Sequence, residues 1–166
     1  MERIFLIKLL RIDERLVHGQ VAVVWTKYLN VNRIIVADDE ASRNETQKYA
    51  MSMAIPEGTK LSVVTVAKAI ELLNDPRANK LTIFIVVKNP ENALKILRNV
   101  EGIPEINIGN YGRMTQTEEE KVALEKNLYV TQEEILTIKE IASMGIATNY
   151  QAVPNEKAIE INKLLK

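Results

Sequence analysis

The chain has 166 residues, of which 46% are hydrophobic and 27% are charged, a composition that excludes a disordered or membrane-embedded chain. Lysine and arginine together number 22, and so do aspartate and glutamate, which gives a formal net charge of zero. Because there is no net positive charge to attract nucleic acid, we expect no nucleic-acid partner.

The absence of cysteine excludes disulfides, thiolate metal sites and thiol nucleophiles. The apolar run at residues 4–7 is short and is soon followed by Arg11 and Asp13, so it predicts neither a signal peptide nor a membrane span. We therefore expect a cytoplasmic protein with one domain over residues 1–166.

Runs of apolar or alternating residues predict six or seven strands along the chain. The candidate strands lie at residues 4–10, 33–37, 60–65, 81–87, 105–109, 128–130 and 146–153. The fourth run, LTIFIVV, is continuously apolar, which is typical of a strand covered on both faces. Residues 109–116 and 118–121 are predicted to be loop, because they are glycine-punctuated or highly charged.

Between these runs, apolar residues recur at helical spacing, beginning with a stripe that includes Trp25. Four residues of the types that cap helix N-termini precede the next helices: Ser42, Thr65, Asn89 and Thr131. The first and last of these four are followed three residues later by glutamate, the spacing of a capping box. Pro154 is predicted to open a last helix.

Strands that alternate with helices predict an α/β fold. We expect a single domain with a mostly parallel, twisted sheet of about six or seven strands and helices on both faces. In such folds the site lies outside the carboxyl ends of the strands, where the strand-to-helix loops meet. The loops expected at this edge contain His18, Asp38, Thr65, Lys88 and Gly109.

The segment RIDERLVHGQ joins the first predicted strand to the first helix and contains the only histidine, His18. A neutral imidazole nitrogen is a nucleophile near pH 7. Arg15 and Arg11 offer cations that suit phosphate oxygens, and a helix that starts near Gly19 directs free N–H groups toward the same place. Asp13 either orients an arginine or the imidazole, or is an ordinary turn residue.

The residues alone leave several interpretations open. A lone histidine near a helix start is often only a surface residue, so His18 is either functional or structural. The acidic run that begins at Asp38 favours a solvated strand end and helix cap over a magnesium site. Trp25 is predicted to lie in the core rather than to form a ligand platform. Asp38 and Arg113 are candidate loop contacts at the site, Arg113 for phosphate or for a partner.

The chain also resembles one bacterial family over essentially its whole length. The segment RIDERLVHGQV, followed by Trp25-Thr26 and NVNRIIVADDEAS, is similar to the IIB component of the mannose/fructose/sorbose class of the phosphoenolpyruvate-dependent sugar phosphotransferase system. Further elements of the likeness are the strand LTIFIVV, the segment from Asn107 to Gly109, and four single positions: Ala54, Pro56, Gly58 and Pro154.

The resemblance implies a cytoplasmic phosphocarrier that associates peripherally with a membrane permease. His18 then accepts a phosphoryl group on Nδ1 from a histidine of the IIA component, and Arg15 stabilises the group during transfer. Four further motif residues support the site: Arg11, Asp13, Gly19 and Gln20. The group passes to a sugar that is carried by the IIC and IID membrane components, and no metal or cofactor is implied.

A second function of a different class stays open, namely a non-catalytic module that binds a phosphorylated ligand or partner at the same loop. The chain also departs from many relatives after Gly109, because Asn110 and Tyr111 add bulk before the next glycine. The resemblance therefore does not assign roles to Tyr111 and Arg113. It leaves open the transported sugar and whether the chain forms a homo-oligomer.

Overall fold

The computed structural model describes residues 6–114 and 117–165. Ile4 and Phe5 of the first predicted strand, and Thr115 and Gln116 of the predicted loop, lie outside the described residues. The described residues form nine strands. These are β1 (Leu6–Ile12), β2 (Arg33–Ala37), β3 (Lys60–Val64), β4 (Thr82–Val87), β5 (Glu105–Ile108), β6 (Val122–Glu125), β7 (Leu128–Val130), β8 (Ala147–Tyr150) and β9 (Ile159–Glu160).

Seven of these strands form one sheet with the order β3-β2-β4-β1-β5-β8-β9, whereas β6 and β7 pair as a separate hairpin. Neighbouring strands of the large sheet are parallel, except for β8 and β9, which are antiparallel. The predicted α/β domain with a mostly parallel sheet is therefore confirmed.

Six α-helices lie in the described part of the chain. They are α1 (Gly19–Leu29), α2 (Asp39–Ser42), α3 (Glu45–Ser52), α4 (Val66–Leu73), α5 (Pro90–Asn99) and α6 (Gln132–Ala142). The predicted caps Thr65, Asn89 and Thr131 each accept a hydrogen bond from a backbone N–H in the first turn of their helix. Over residues 6–114 and 117–165, no helix is both long enough and apolar enough to cross a membrane.

The core has two layers, one on each face of the sheet, because side chains alternate along the strands. In β4, Phe84 and Val86 pack in one layer and Ile83 and Ile85 in the other, which confirms that this strand is covered on both sides. Trp25 of α1 lies in the first layer with 3% of its surface exposed, as predicted. The second layer includes buried residues of α4, α5 and α6.

The helix predicted to start with a cap at Ser42 is wrong in its start. Ser42 is the last residue of α2, and its hydroxyl donates to the carbonyl oxygen of Asp39 over 2.6 Å. Asn44 caps α3 instead, because its Oδ1 accepts from the N–H of Gln47 over 3.0 Å. Two short capped helices therefore replace the single predicted one.

The last part of the chain differs from the predicted elements in two places. Residues 122–125, for which no element was predicted, form β6, because the hairpin with β7 satisfies their backbone groups. Pro154 does not open a helix. The side-chain amide of Gln151 donates to the carbonyl oxygens of Pro154 and Glu156, which holds a turn, and Ile159 then pairs with Tyr150 in β9.

The carboxyl ends of β1 and β5 bring two loops together. Ile12 and Ile108, the last residues of these strands, are paired in register. The β1–α1 loop, residues 13–18, and the 109–114 segment therefore leave the sheet side by side. This is the edge at which ligand sites form in parallel α/β sheets.

Candidate active site

The β1–α1 loop begins with a tight turn. The N–H of Leu16 donates to the carbonyl oxygen of Asp13 over 2.9 Å, and the N–H of Arg15 donates to Asp13 Oδ1 over 3.0 Å. Leu16 has a φ of 60°, a left-handed conformation that is costly for a residue with a side chain. The side chains of Leu16 and Val17 are buried in the core, so packing holds this turn in place.

His18 is oriented by the carboxylate of Asp13. His18 Nε2 lies 3.2 Å from Asp13 Oδ2, and the imidazole is 28% exposed. Because a carboxylate only accepts hydrogen bonds, this contact requires the proton on Nε2, which leaves the lone pair of the neutral ring on Nδ1. Within the described residues Nδ1 has no hydrogen-bond partner. The geometry therefore favours the tautomer in which Nδ1 carries the lone pair.

Arg11 fixes Asp13 from within the protein. Its buried guanidinium donates over 3.0 Å to Asp13 Oδ2, the oxygen that also faces the imidazole, and over 3.0 Å to the carbonyl oxygen of Gln151. It donates as well to the side chain of Asn107. The Trp25 ring packs against it, with 5.3 Å from Arg11 Cζ to the ring centroid. Protein groups thus provide the hydrogen-bond acceptors and the counter-charge that the buried Arg11 guanidinium would otherwise find in water.

Gly109 makes this arrangement sterically feasible. A Cβ at Gly109 would lie 2.3 Å from Nη2 of Arg11, far inside van der Waals contact. The N–H of Gly109 also donates to the carbonyl oxygen of Ile12 over 2.8 Å, which continues the pairing of β1 with β5. A glycine is therefore required where the backbone passes the guanidinium.

The Asp13 carboxyl is ionised because its partners outweigh its burial. Burial raises the pKa of Asp13, but the hydrogen bond to His18, the positive charge of Arg11 and the N–H of Arg15 lower it, and the net pKa lies below the usual 3.8. Burial lowers the pKa of Arg11, although an arginine stays charged at any ordinary pH. His18 Nε2 therefore faces a permanent negative charge.

The β1–α1 loop and the start of α1 also present hydrogen-bond donors near His18. Arg15 is exposed, and among the described residues its guanidinium forms no hydrogen bond or ion pair. His18 is the N-cap residue of α1 but its side chain does not cap the helix. Within the described residues, the backbone N–H groups of Gly19 and Gln20, both exposed residues, donate to no acceptor, and the positive end of the helix dipole adjoins His18.

A cavity of about 220 Å³ lies beside His18. Four of its lining residues belong to the β1–α1 loop. The other four come from the 109–114 segment and the β6–β7 turn: Asn110, Arg113, Met114 and Asn127. The structure therefore brings Arg113 to the same cavity as His18 and Arg15, although about 100 residues separate them in sequence.

The predicted contact Asp38 does not line this cavity. Asp38 is buried, and its Oδ2 accepts from the N–H of Ala41 over 2.9 Å, so it caps α2 in agreement with the simpler interpretation of the acidic run. Tyr111 is also structural in its contacts. It is buried, its hydroxyl donates to Glu134, and its backbone pairs with the β6–β7 hairpin.

Three contributors to the site were missed at the level of sequence: Glu14, Asn107 and Asn127. The signal for Asn107 was its place one residue before the end of a strand next to β1, where it faces Arg11 in register. Glu14 lies within the recognised motif, yet its partners are backbone N–H groups that no side-chain pattern reveals. The motif therefore located the side of the cavity formed by the β1–α1 loop, but not the opposite wall, which consists of the 109–114 segment and Asn127.

Taken together, the fold and the site define an α/β protein that presents an oriented, partly exposed histidine among free cationic and N–H donors. Such a site is suited to holding a phosphoryl group at an imidazole nitrogen, because the donors can bind the phosphoryl oxygens. Comparison with known proteins agrees. Residues 7–166 match the family "PTS system sorbose subfamily IIB component", and the chain belongs to this family.

Individual relatives match over nearly the whole chain. A protein of Streptococcus pyogenes serotype M6 named probable phosphotransferase enzyme IIB component is 37% identical over 94% of this chain and 97% of its own length. The crystal structure of the IIBSor domain of the sorbose permease from Klebsiella pneumoniae superimposes with a TM-score of 0.87 at 30% identity, covering 96% of this chain and 95% of that one. The mannose-specific EIIAB component of Escherichia coli is 30% identical over 96% of this chain, which spans 48% of that protein.

Proposed function

We propose that this chain, as a single IIB domain, is a phosphocarrier that accepts a phosphoryl group on Nδ1 of His18 from a phosphohistidine of IIA. It then donates that group to a sugar during uptake through the IIC and IID membrane components. The observation that carries the proposal is the contact of His18 Nε2 with Asp13 Oδ2, which leaves Nδ1 unprotonated beside a cavity lined by Arg15.

In the first step the lone pair of His18 Nδ1 attacks the phosphorus of the donor phosphohistidine. The Nδ1–P bond forms as the donor N–P bond breaks, and that electron pair returns to the donor imidazole. Because His18 keeps its proton on Nε2, its ring becomes positively charged, and the Asp13 carboxylate 3.2 Å away stabilises that charge. Asp13 thus serves both as a tautomer selector and as a counter-ion.

The charge on the transferring group is balanced by groups outside the imidazole. Arg15 has an exposed guanidinium without a protein partner in the described chain, so it can bind equatorial phosphoryl oxygens. The free N–H groups of Gly19 and Gln20 favour an anion at the start of α1. Arg11 acts through Asp13 rather than by contact with the phosphoryl group, because its guanidinium is buried.

In the second step a sugar hydroxyl attacks the phosphorus of phospho-His18. The P–Nδ1 bond breaks, its electron pair returns to Nδ1, and the hydroxyl proton passes to a base of the membrane component. Asp13 then faces the neutral Nε2–H tautomer again. Because the same tautomer is restored, one site can serve alternately as acceptor and donor.

The assignment of IIA as donor is supported by the Escherichia coli relative, whose name joins IIA and IIB in one mannose-specific component. Membership of the sorbose subfamily supports the sugar and the membrane components as further partners. We place the chain in the cytoplasm, at the inner surface of the permease, since both IIA and the permease must reach the partly exposed His18. Such contacts are expected to be transient.

Incubation with phosphoenolpyruvate, the general phosphotransferase proteins and IIA tests the proposal. The chain should gain one phosphoryl group that is labile in acid and stable in alkali, and His18→Ala should abolish it. Asp38→Ala, which removes a carboxylate outside the cavity, is the control and should retain the adduct. An adduct that persists in His18→Ala, or binding of phosphate without any adduct, would favour the non-catalytic alternative.

A further inference from the structure

Glu14 contacts the opposite wall of the cavity through an unusual set of donors. Its carboxylate accepts hydrogen bonds from three consecutive backbone N–H groups, those of Gly112 over 3.0 Å, Arg113 over 3.2 Å and Met114 over 3.2 Å. Glu14 itself is 8% exposed. A buried carboxylate with several N–H donors forms strong, charge-assisted bonds, so this contact ties the β1–α1 loop to the 109–114 segment.

The 109–114 segment has little freedom beyond this contact. Gly112 has a φ of +94°, and a Cβ there would lie 1.8 Å from the carbonyl oxygen of Tyr129. The N–H of Tyr111 donates to the carbonyl oxygen of Asn127 over 2.9 Å. The hairpin therefore closes one side of the segment, and Glu14 holds the side that faces His18.

The segment delivers a cation to the cavity. Arg113 lines it, and the Arg113 guanidinium packs over the Tyr129 ring with 5.4 Å from Cζ to the ring centroid. The Nη2 group of Arg113 also lies 3.4 Å from the Tyr129 hydroxyl. Nη2 donates as well to the carbonyl oxygen of Lys126 over 3.4 Å, whereas Nη1 and Nε of Arg113 donate to no acceptor within the described residues. That part of the guanidinium edge is therefore available for anion oxygens.

We propose that Glu14 is a positioning residue that holds the 109–114 segment so that Arg113 contacts the phosphoryl group from the wall opposite Arg15. The proposal rests on the proposed phosphocarrier function and extends it to a second arginine. Three consecutive residues then divide the work: Asp13 orients His18, Glu14 orders the second wall and Arg15 binds from the first.

The decisive experiment is a double-mutant cycle on phosphoryl transfer from phospho-IIA. Glu14→Gln removes the negative charge that holds the N–H groups of residues 112–114. Arg113→Ala removes the cation whose position depends on that contact. We expect each to slow transfer about 10-fold, which corresponds to about 1.4 kcal/mol in the barrier. The double variant should be no slower than the slower single variant, because Glu14 acts through Arg113.

A structural readout separates positioning from general damage to the fold. In Glu14→Gln the amides of Gly112, Arg113 and Met114 should exchange with solvent at least 10-fold faster than in the parent. The ¹⁵N shifts that report the His18 tautomer should not change. Asp75→Asn is the matched control, since Asp75 also accepts a backbone N–H, from Arg77, but away from the cavity.

The unsubstituted chain supplies a test that does not depend on a folded variant. Its amides at residues 112–114 should exchange more slowly than the amide of Asn110, which donates to no group in the described residues. Equal exchange rates, additive effects in the cycle or unchanged transfer in Glu14→Gln would each overturn the role of Glu14. Failure of the parent chain to accept phosphate would instead overturn the phosphocarrier function.

Discussion

Replacement of Asp13 by asparagine removes one charge at the point where Arg11 and His18 meet. The side chain keeps its size, but the oxygen that faces both partners loses its negative charge. Breaking a buried ion pair by neutralising one partner costs about 3–5 kcal/mol. Arg11 keeps its contacts with Asn107 and Gln151, so we expect a loss near the lower end, about 3 kcal/mol. In a chain of this size that lowers Tm by about 6–12 °C.

The same substitution should disable the nucleophile. An asparagine amide can donate to His18 Nε2, which moves the imidazole proton to Nδ1 and blocks the lone pair. The variant also lacks the carboxylate that stabilises the positive ring after phosphorylation. A charge-assisted hydrogen bond is worth about 1.5–3 kcal/mol, so transfer should slow by about 10- to 150-fold at a temperature where the variant is folded.

Two measurements check this expectation. Rapid-quench kinetics with labelled phospho-IIA give the transfer rate, and ¹⁵N shifts of the imidazole give the tautomer. Asp39→Asn is the control, because Asp39 also accepts a backbone N–H, from Val66, outside the cavity. A variant with unchanged transfer and with the proton still on Nε2 would refute the idea that Asp13 selects the tautomer.

Asp13 should also affect stability in acid. Its pKa is lower in the folded chain than the value of about 3.9 expected when unfolded. The stability that Asp13 contributes is therefore fully present above about pH 4 and is lost as the pH falls through its folded pKa. In Asp13→Asn, the free energy of unfolding should therefore depend less steeply on pH below about pH 4. An unchanged slope would show that other carboxyl groups determine the pH dependence of stability.

Two further predictions concern Arg15 and Gly109. Arg15→Ala should slow transfer by about 10- to 150-fold through the loss of a charge-assisted contact, and its Tm should not change because the side chain is exposed. Arg77→Ala removes an exposed arginine outside the cavity and should leave the transfer rate normal. Equal transfer rates for the two variants would show that Arg15 takes no part in the mechanism. Gly109→Ala should destabilise the chain by about 1–3 kcal/mol, because the new methyl group displaces the Arg11 guanidinium, and thermal unfolding that matches the parent would contradict the tight approach.

Much of the fold follows from local sequence signals. The caps Thr65, Asn89 and Thr131 were predicted correctly because each bonds an N–H of its own helix. Ser42 misled because Asn44, two residues later, competes for the same kind of role, and the choice depends on where Asp38 starts α2. Local signals predict that a helix is capped but not which of two nearby candidates caps it.

Long-range pairing explains the failures at the end of the chain. β6 contains no strong strand pattern. It forms because β7, in which Leu128 and Val130 are fully buried, would otherwise leave the backbone groups of its edge unpaired. Ile159 was assigned to a helix because its apolar character fits either structure. The edge of β8 recruits it instead, through pairing with Tyr150.

The candidate site shows the same division between local and distant information. His18, Arg15 and Asp13 lie within six residues of one another, so the motif places them together on one loop. Arg113 was a candidate only because its loop was expected at the same edge, and the in-register pairing of β1 with β5 explains why it arrives there. Asp38 follows a strand at that edge as well, but its side chain accepts the hydrogen bond that caps α2.

The turn at Leu16 explains how one short loop can serve both walls of the cavity. In an extended strand, neighbouring side chains point to opposite faces, and three consecutive residues cannot reach three separate partners near one point. The backbone instead folds back from Asp13 to Leu16, and Leu16 accepts a left-handed conformation that the core packing maintains. Asp13 then contacts Arg11 and His18, whereas Glu14 contacts the 109–114 segment. The strain at Leu16 is thus the local cost of an arrangement in which Asp13 contacts His18 while the adjacent Glu14 contacts the 109–114 segment.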